Sequence, residues 1–512
     1  MIKSKNGMLI ALAGFLAYLI LGTGLHGDDF AIIAKFADWS FKDWIIPDTA
    51  QQGIFILSFP SYVSFFWVYW LFGSNYDYVY DFIKIIMHIF FLWCSYKFFK
   101  DYLSNDRAII AAIIFILSPI HDATIYWYMC LPYLFSTSLI LLSHQLIRSN
   151  FLKSGFLICL LGAFSFYSSP PYILGLSALF LFNREYKKFF TFLLPGLLYI
   201  AFYISIKALT DGVEKRVNLE LEIIDVIRNF FLQFITMLDS FFGPSFFLKI
   251  WSSIQSISVL GFFISVFLCA YASRFLKNMS TPSSVNRHLL ISIILVIIVS
   301  FGMYSITGLY NHSPFNLGNR SMLYSSLLFA VLFASYIPTK RISILILLIF
   351  FILPSVGLSE HWKEWNQVQQ KIILQTEQTI SINKIPADSL IFVKGNLYSK
   401  LGSYTHIEFL VMPWALKALS PKNIEMIALT NYLEMNENNI LIDKKWGHSI
   451  DLPTSLFLYD SSKDLLLEIS AEELALELSN QPKLFRHWIQ FLEGTAVHDL
   501  LISIYPRIDY IF

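Results

Sequence analysis

Residues 53–73, GIFILSFPSYVSFFWVYWLFG, are the stretch on which the fold of this chain depends. They carry no charged side chain, and roughly 20 apolar residues suffice to cross a membrane as a helix. The stretch nevertheless contains Pro60 and follows a loop with Trp39, Trp44 and Pro47. If it crosses the membrane, every later loop changes sides. Its placement therefore sets the topology of the whole chain.

Basic residues decide where this stretch lies. Cytoplasmic loops of membrane proteins carry an excess of Lys and Arg, and Lys3 and Lys5 place the N-terminus in the cytoplasm. If 53–73 crosses, the later basic loops become external, which contradicts Lys3 and Lys5. If it lies in the outer interface or re-enters, these loops become cytoplasmic. They contain Lys97, Lys100 and Arg107, then Arg148 and Lys153, then Arg184, Lys187 and Lys188, then Arg274, Lys277 and Arg287, and finally Lys340 and Arg341.

Eleven membrane spans follow from this placement. The first is retained, because no small-x-small cleavage site follows the apolar run from Met8 to Leu25. The apolar stretch 225–248, interrupted by Arg228 and Asp239, suits a second interfacial helix better than a span. An odd number of crossings puts the C-terminal part outside. The predicted spans are 8–25, 77–96, 107–119, 126–147, 154–169, 171–182, 189–209, 253–273, 288–308, 321–337 and 342–358.

Composition divides the chain into two regions. Of its 512 residues, 56% are hydrophobic, 17% aromatic and 14% charged, against about 25% charged in soluble domains. The apolar runs end near residue 359. We therefore predict a polytopic α-helical membrane module at 1–359, in the inner or plasma membrane of the cell, and an extracytoplasmic soluble α/β domain at 360–512.

The predicted soluble domain has both strand and helix signals. Residues 389–394, 439–443 and 455–459 are strand candidates. Ser470 and Glu473 form a capping-box pattern, which predicts a helix over 471–479.

Several function classes find no support in the sequence. The formal net charge is +1, and the aromatic residues lie in apolar runs rather than beside basic clusters, so no nucleic-acid partner is predicted. Walker, HExxH, GxSxG and dinucleotide-binding motifs are lacking. The four cysteines lie in or beside predicted spans without CxxC spacing, which indicates packing residues rather than disulfides or a zinc site. They are Cys94, Cys130, Cys159 and Cys269.

Two carboxylates, Asp28 and Asp29, follow the first predicted span, where the membrane gives way to water. One of them could act as a general base on a substrate hydroxyl, while the other orients this base or the substrate. The structural alternative is that Asp28 caps the next helix, because Asp is a preferred N-cap residue. Both interpretations stay open at this point.

Further ionisable residues lie in or near the second and fourth predicted spans. His121 and Asp122 form a second polar outer loop, although an isolated Asp in a short loop is usually solvated. Within the span 77–96, Asp81, Lys84 and His88 share a helix face. Ionisable groups inside a membrane indicate function. The alternative is that Asp81 and Lys84 pair with each other.

Another outer loop, between the predicted spans 288–308 and 321–337, contains His312 and leads to Arg320 at the mouth of the next span. A guanidinium there could bind a phosphate or pyrophosphate through two parallel hydrogen bonds. The alternative is a structural role, in which the aliphatic part of Arg320 lies along apolar surface and its guanidinium reaches the membrane interface. Both interpretations are compatible with the sequence.

The order of these motifs resembles the GT-C superfamily of lipid-phosphosugar-dependent glycosyltransferases, which includes the aminoarabinose transferase of lipid A and protein O-mannosyltransferases. The similarity extends to about Glu185. In that family the loop between the first two spans carries interfacial helices, in agreement with the placement of 53–73. The matching segments are Gly27-Asp28-Asp29, Asp43-Trp44-Ile45-Ile46-Pro47, Tyr69-Trp70-Leu71-Phe72-Gly73-Ser74-Asn75, Arg107-Ala108, Ser118-Pro119, Asp122 and Tyr126.

The resemblance implies an inverting transfer of a sugar from a polyprenyl-phosphate carrier to a glycan, lipid or protein acceptor of the cell envelope, such as lipopolysaccharide. Asp28 or Asp29 would be the catalytic carboxylate. Because Gln51-Gln52-Gly53 stands where the nearest transferases have a basic residue before Pro, the carrier phosphate would fall to Lys84 and Arg320. No cofactor is specified, and a divalent cation stays open. The remaining candidates for substrate binding are Trp44, Asp81, His121, Asp122 and His312.

Two other function classes compete with this prediction. A flippase or transporter of a lipid-linked glycan would also need charged groups among many spans, but transporters usually have two similar halves and charges at the midplane. Here no halves match, and the candidates cluster at one face. A non-catalytic scaffold that presents the external domain is the third class, and the Asp pair and the Trp-rich loop argue against it.

Overall fold

The structure of the chain is a computed structural model. It describes residues 2–47, 53, 55–209, 222–276, 285–307, 312–337, 341–382, 385–386, 389–409, 424–430, 433–436, 440–443, 448–481 and 495–504. The chain is mostly helical up to residue 382, and small β-sheets follow.

Helices are numbered in chain order. The first eight are α1 Ile2–Ile20, α2 Asp28–Phe36, α3 Phe41–Ile45, α4 Phe59–Ser61, α5 Trp67–Phe72, α6 Asp77–Lys100, α7 Asn105–Leu117 and α8 Ala123–Tyr126. The next ten are α9 Leu131–Arg148, α10 Leu152–Ala163, α11 Ser169–Phe182, α12 Tyr186–Leu209, α13 Ile223–Phe242, α14 Pro244–Gln255, α15 Val259–Leu276, α16 Arg287–Thr307, α17 Leu323–Tyr336 and α18 Arg341–Ile382. Two more, α19 Ala471–Ser479 and α20 Ala496–Ile504, lie near the C-terminus. The described residues also form 3₁₀ turns at Pro119–His121, Tyr128–Cys130 and Leu317–Met322, and a π-helical turn at Tyr62–Phe66.

Five helical segments among the described residues are long and apolar enough to cross a membrane. Helices α13 and α14, bent by 45° relative to each other, make a sixth if they count as one span. The protein is therefore an integral multi-pass membrane protein. Every one of the eleven predicted spans overlaps a helix, but α7, α10 and α11 are shorter than a full span, and the number eleven stays a prediction. The five segments are Asp77–Lys100, Tyr128–Arg148, Tyr186–Ile206, Arg287–Thr307 and Leu317–Tyr336.

The stretch 53–73 is helical over most of its described residues. Gly53 and residues 55–57 are helical, and from Phe59 to Phe72 the chain passes through α4, a π-helical turn and α5. Pro60 lies within the first turn, in α4. The interfacial placement of the stretch stays a prediction.

Helix α13 presents apolar side chains outward and polar side chains inward. A soluble protein places them the other way round, so this arrangement indicates a lipid environment. The outward stripe contains Ile224, Ile227, Phe231, Ile235, Leu238 and Phe242, all exposed, and the buried polar residues are Asn229, Gln233, Thr236 and Ser240.

Three of the loops predicted to be cytoplasmic lie together at one end of the helices. The Arg148 guanidinium lies 4.6 Å from the centre of the Tyr102 ring, and Lys188 Nζ donates to Arg148 O at 3.1 Å. Arg107, fully buried, donates to Ser335 O at 2.8 Å, so it caps the carboxyl end of α17. We call this end of the helices the basic end. Which side of the membrane it faces stays a prediction.

The described residues of the C-terminal region form a mixed α/β structure with three small sheets. The strands are β1 Leu390–Lys394, β2 Tyr398–Leu401, β3 Tyr404–Glu408, β4 Glu425–Ala428, β5 Leu433–Met435, β6 Ile440–Asp443, β7 His448–Asp451, β8 Leu456–Asp460 and β9 Leu465–Ile469. The main sheet has the order β4-β1-β8-β9, in which β1 is parallel to both neighbours and β9 is antiparallel to β8. The sheets β2-β3 and β5-β6-β7 are antiparallel.

The strand and helix predictions for this region are confirmed. Strands β1, β6 and β8 coincide with the three candidates. Ser470 Oγ accepts from Glu473 N at 3.2 Å and Glu473 Oε2 accepts from Ser470 N at 2.8 Å, so the capping box opens α19 as expected. The four cysteines are buried and free.

Helix α18 continues without a break through the predicted boundary at residue 359. Its 42 residues connect the membrane helices to the sheets. The C-terminal region contacts the loops between the helices directly, since the Phe30 ring of α2 lies 5.3 Å from the Phe409 ring and the Phe315 ring lies 4.4 Å from the Tyr404 ring of β3. A division of the chain at 359 stays a prediction.

Candidate functional site

Asp81 and Lys84 form a buried ion pair that fixes the loop after α1. Lys84 Nζ lies 2.8 Å from Asp81 Oδ1. Asp81 accepts from the N–H groups of Gly22 and Gly24 at 2.6 and 3.1 Å, and Lys84 donates to Gly24 O and Tyr126 O at 2.8 and 3.0 Å. Both glycines have positive φ, 90° and 60°, which glycine adopts without strain. The two side chains thus pair, as the structural alternative proposed.

Asp29 is held by three neutral donors at the end of this loop. Its side chain is fully buried. Oδ2 accepts from His26 N at 2.8 Å, and Oδ1 accepts from Tyr69 Oη at 2.7 Å and from Met129 N at 3.1 Å. A carboxylate has about four acceptor positions, so these donors occupy most of them.

Burial raises the pKa of Asp29 from 3.8 to about 7. The charged form loses its hydration in the interior, and this effect exceeds the stabilisation by the His26 and Tyr69 donors. The neighbouring charge of Asp28 raises the pKa further. A carboxyl group with such a pKa exchanges its proton near neutral pH.

Asp28 is the more accessible member of the pair. It is partly buried and is the first residue of α2. The N-cap residue is Gly27, with φ 51°, so the structural alternative that Asp28 is the N-cap is wrong. The positive end of the helix dipole favours a negative charge in this first turn. Asp28 is therefore the less buried carboxylate of the pair, at the start of a helix.

Trp127 connects the loop of the carboxylate pair with the loop of Arg320. The Trp127 indole donates to His26 O at 2.8 Å, and the Arg320 guanidinium lies 5.1 Å from the centre of the same indole. Arg320 also donates to Leu317 O at 2.8 Å. A Cβ on Gly27 would lie 2.7 Å from Leu317 Cδ1, so the two loops are in direct contact. We call Asp28, Asp29, Trp127 and Arg320 the carboxylate–arginine site.

This site lies far from the basic end. The loop that carries the carboxylates is bound to Asp81, near the start of α6, and Lys100 ends the same helix at the basic end. Asp81 and Lys100 are 19 positions apart, which corresponds to roughly 28 Å of helix. The two ends of the membrane helices therefore differ in chemistry.

Asp122 is the centre of a second buried polar cluster. Oδ1 accepts from Lys249 Nζ at 2.9 Å and from Asn319 Nδ2 at 2.6 Å, while Oδ2 accepts from His406 Nε2 at 2.8 Å and from Trp362 Nε1 at 2.7 Å. The donors come from α14, the turn before α17, β3 and α18. All four acceptor positions of the carboxylate are thus occupied by protein groups.

Electrostatic attraction keeps Asp122 ionised despite its burial. Burial disfavours the charge, but Lys249 and His406 attract it, and hydrogen bonds from His406 and Trp362 add to this, so the pKa of Asp122 lies below its ordinary value. The pKa of His406 is lowered by burial and by the positive charge of Lys249. We call these five residues the Asp122 cluster. It fastens a strand of the C-terminal region to the membrane helices.

The two candidate histidines are bound to neighbouring protein groups. His121 Nδ1 lies 2.7 Å from Thr124 Oγ1 and Nε2 lies 3.0 Å from Phe115 O. The backbone N–H and Nδ1 of His312 both hydrogen-bond Gln233 Oε1. Burial lowers the pKa of His121 to about 4 and that of His312 to about 3, so both are neutral at pH 7.

Trp44 belongs to an aromatic group that fixes α3 on the stretch 53–73. Its ring stacks on Tyr62 at 4.1 Å and on Trp70 at 6.0 Å between ring centres. The Phe36 ring meets it edge-on at 5.8 Å. These contacts order the first loop beside the carboxylate–arginine site, and substrate binding by Trp44 stays a prediction.

The structure thus brings the loop of Asp28 and Asp29 into contact with the loop of Arg320, and Asp81 and Lys84 of α6 bind the residues just before the carboxylates. Sequence reasoning missed Trp127, which joins the two loops, and Lys249 and His406 in the Asp122 cluster. Lys249 had a signal, because it is an ionisable residue in an apolar stretch. His406 had none. Within the part of the chain that the structure describes, no group of three His, Cys, Asp or Glu side chains is arranged to hold a metal ion.

Comparison with known proteins identifies no relative: no protein-family model, no curated protein and no solved structure matches the chain. The function is therefore inferred from the residues of the site.

Proposed function

We propose that this chain is a membrane glycosyltransferase that moves a sugar from a polyprenyl-phosphate carrier to a glycan, lipid or protein acceptor of the cell envelope. In this proposal the membrane module has eleven spans and a cytoplasmic N-terminus. The carboxylate–arginine site and the C-terminal region then face the outside, where the lipid-linked sugar presents its head group.

The observation that carries the proposal is the contact, through Trp127, between the loop of Asp28 and Asp29 and the loop of Arg320. A sugar transfer from a phosphate leaving group needs a base for the acceptor hydroxyl and a cation for the phosphate. This site supplies both on adjacent loops. Its distance from the basic end supports a location at one membrane face, whereas a transporter would need charges along a path between the two faces.

Asp28 is the base in this proposal, because a base must contact the substrate and Asp29 is fully buried. The acceptor oxygen attacks the anomeric carbon and gives its proton to Asp28. The bond from the anomeric carbon to the phosphate oxygen breaks, and the polyprenyl phosphate leaves with the electron pair. The configuration at the anomeric carbon is thereby inverted. Arg320 pairs with the phosphate charge, and Asp29 positions the loop.

The test uses the full chain in lipid nanodiscs, a panel of polyprenyl-phosphate hexoses and pentoses, and cell-envelope extract as acceptor. Asp28→Asn keeps the shape of the side chain but cannot accept the proton, so we expect transfer to fall by about 10²–10⁴-fold. Asp38→Asn, an exposed residue of the same loop, is the matched control and should keep full activity. Undiminished transfer by Asp28→Asn, or no transfer by the wild type from any donor of the panel, would contradict the proposal.

A further inference from the structure

A cleft of about 610 Å³ lies between the outer half of α18 and the start of the C-terminal sheets. Helix α18 lines it with His361, Glu364 and Trp365, and the segment from Lys394 to Lys400 lines the facing wall. This volume lies in the range of small-molecule sites, which is about 300–1,000 Å³. None of the residues of the carboxylate–arginine site lines it, so the cleft is a separate feature.

The cleft lies at the carboxyl end of strand β1, where the chain changes direction in the sheet. Strand β1 is central, and its two parallel neighbours, β4 and β8, lie on opposite sides of it. In open α/β sheets, ligands bind in the crevice outside the carboxyl ends of strands at such a switch point. The position within the fold therefore favours a ligand site.

The turn after β1 is rigidly built. Gly395 and Asn396 both have positive φ, 76° and 42°. A Cβ on Gly395 would lie 3.1 Å from both Asp460 Oδ1 and Ser462 N, so a side chain would displace its neighbours. Ser461 fixes the turn, because its N–H donates to Lys394 O at 2.9 Å and its hydroxyl donates to Gly395 O at 2.8 Å. The wall of the cleft is thus preorganised.

Trp365, in the wall of this cleft, has a buried donor without a partner. Its side chain is 8% exposed, and its buried indole Nε1 has no hydrogen-bond partner among the described residues. More than nine in ten buried polar groups in proteins have a partner, and an unsatisfied donor costs about 1–3 kcal/mol. An acceptor oxygen of a ligand would satisfy it once the ring turns its N–H towards the cleft.

The lining is aromatic and polar, but its charges are balanced. Trp365 and Tyr398 contribute aromatic rings to the lining, Asn396 contributes an amide, and Glu364 and Lys400 contribute opposite charges. The Ser399 hydroxyl is already bonded to His361 Nε2 and Ile407 N. Lys394 is paired with Glu477 at 2.7 Å, so it is not an isolated cation that waits for an anion. The C–H face of a pyranose packs on aromatic rings, while its hydroxyls both donate and accept.

We propose that this cleft binds a carbohydrate, the glycan part of the acceptor. Its role as an acceptor site rests on the proposed function, whereas carbohydrate binding by itself does not. The cleft borders the Asp122 cluster, because His361 in its wall precedes Trp362, the donor to Asp122, and the His361 and His406 rings lie 5.6 Å apart. Trp362 in turn packs edge-on against His26 of the carboxylate loop at 4.6 Å. A bound glycan is therefore held on the same face of the membrane helices as the carboxylate–arginine site.

The experiment measures binding of the full chain, in nanodiscs, to an array of neutral, amino and acidic oligosaccharides, followed by titration with the tightest binder. Trp365→Phe keeps the ring but removes the N–H, so we expect affinity to fall by about 2- to 10-fold, as for one hydrogen bond. Tyr398→Ala removes a ring face and should weaken binding at least as much. Lys463→Ala, a 72% exposed lysine of the same region, is the control and should bind like the wild type.

Three outcomes would overturn the proposal: no oligosaccharide of the array binds, Trp365→Phe and Tyr398→Ala both bind like the wild type, or inorganic phosphate competes for the cleft while free oligosaccharide does not. The transferase proposal is tested separately. If Asp28→Asn retains wild-type glycan affinity and the wild type transfers no sugar, carbohydrate binding stands and the proposed function fails.

Discussion

Asp29 and Asp122 are two equally buried carboxylates with opposite electrostatics. Both side chains are fully buried, so the charged form of each has lost its hydration. Asp29 accepts from three neutral donors, and its pKa rises to about 7. Asp122 accepts from four donors, one of them the cation Lys249, and its pKa lies below its ordinary value. The charge of the partners, rather than the depth of burial, therefore decides the protonation state.

The two regions differ in their use of that state. The Asp122 cluster is a permanent ion pair that joins α14, α18 and β3, and all acceptor positions of its carboxylate are filled. The loop around Asp29 is held by neutral groups and lies beside the accessible Asp28. A fixed charge suits a structural connection, whereas a group that exchanges protons near pH 7 suits the neighbourhood of a reaction.

The largest expected effect comes from breaking the Asp122 ion pair. Lys249→Met leaves a buried carboxylate without its counter-charge, which typically costs about 3–5 kcal/mol. We expect that loss in the free energy of unfolding, measured by denaturant titration in detergent. Lys188→Met is the matched control, because Lys188 pairs with the partly exposed Glu185, and such a surface pair contributes about 0–1 kcal/mol.

The double variant Lys249→Met/Asp122→Asn sharpens this prediction. It removes both charges, so its loss should be smaller than the sum of the two single losses. Strict additivity would show that the two charges do not stabilise each other.

The second prediction concerns the pH dependence of stability at Asp29. Its folded pKa is about 7 against 3.8 unfolded, so between pH about 4 and about 7 the folded state binds more protons than the unfolded state. The contribution of Asp29 to the free energy of unfolding is therefore largest below pH about 4. It is lost as the pH rises through about 7, and the free energy of unfolding falls by up to about 4 kcal/mol. Asp29→Asn should remove this slope in thermal unfolding measured across that interval, with Asp38→Asn as the control that keeps it.

An unchanged slope in Asp29→Asn would mean that another group causes the pH dependence. Asp122 cannot produce it, because a lowered pKa gives the opposite sign: its contribution is present above pH about 4 and is lost at lower pH.

The smallest expected effect separates the cations of the two regions. Arg320 is partly buried beside the carboxylates, whereas Lys249 is fully buried in its cluster. Under the proposed function, Arg320→Ala should weaken binding of a polyprenyl-phosphate sugar by about 1.5–3 kcal/mol, as for a charge-assisted hydrogen bond. Arg320→Lys should lose less, because it keeps the charge but not the planar fork. Equal, wild-type donor affinity in both variants, measured by equilibrium binding, would leave Arg320 a structural role only.

The sequence predicted the helices well because apolar length and local caps are local signals. Each predicted span overlaps a helix, and Ser470 with Glu473 opens α19. The pairing of Asp81 with Lys84 also follows from spacing on one helix. Contacts across long separations could not be predicted in this way: Trp362 and His406 reach Asp122 from 240 and 284 residues away. The same limit hid Trp127 as the residue shared by the Asp28 and Arg320 loops.

Helix α18 sets the height of the cleft above the membrane. Its 42 residues extend roughly 63 Å, about twice the hydrocarbon thickness of a bilayer. The half beyond the bilayer carries Trp362 and Trp365, and it is continuous with the half that begins at Arg341. The length of α18 therefore fixes the distance between its first residues and the cleft. A change in its tilt, which bilayer thickness influences, would raise or lower the cleft together with the sheets. Under the proposed function, bilayer thickness would therefore set the distance from the lipid surface at which an acceptor is bound.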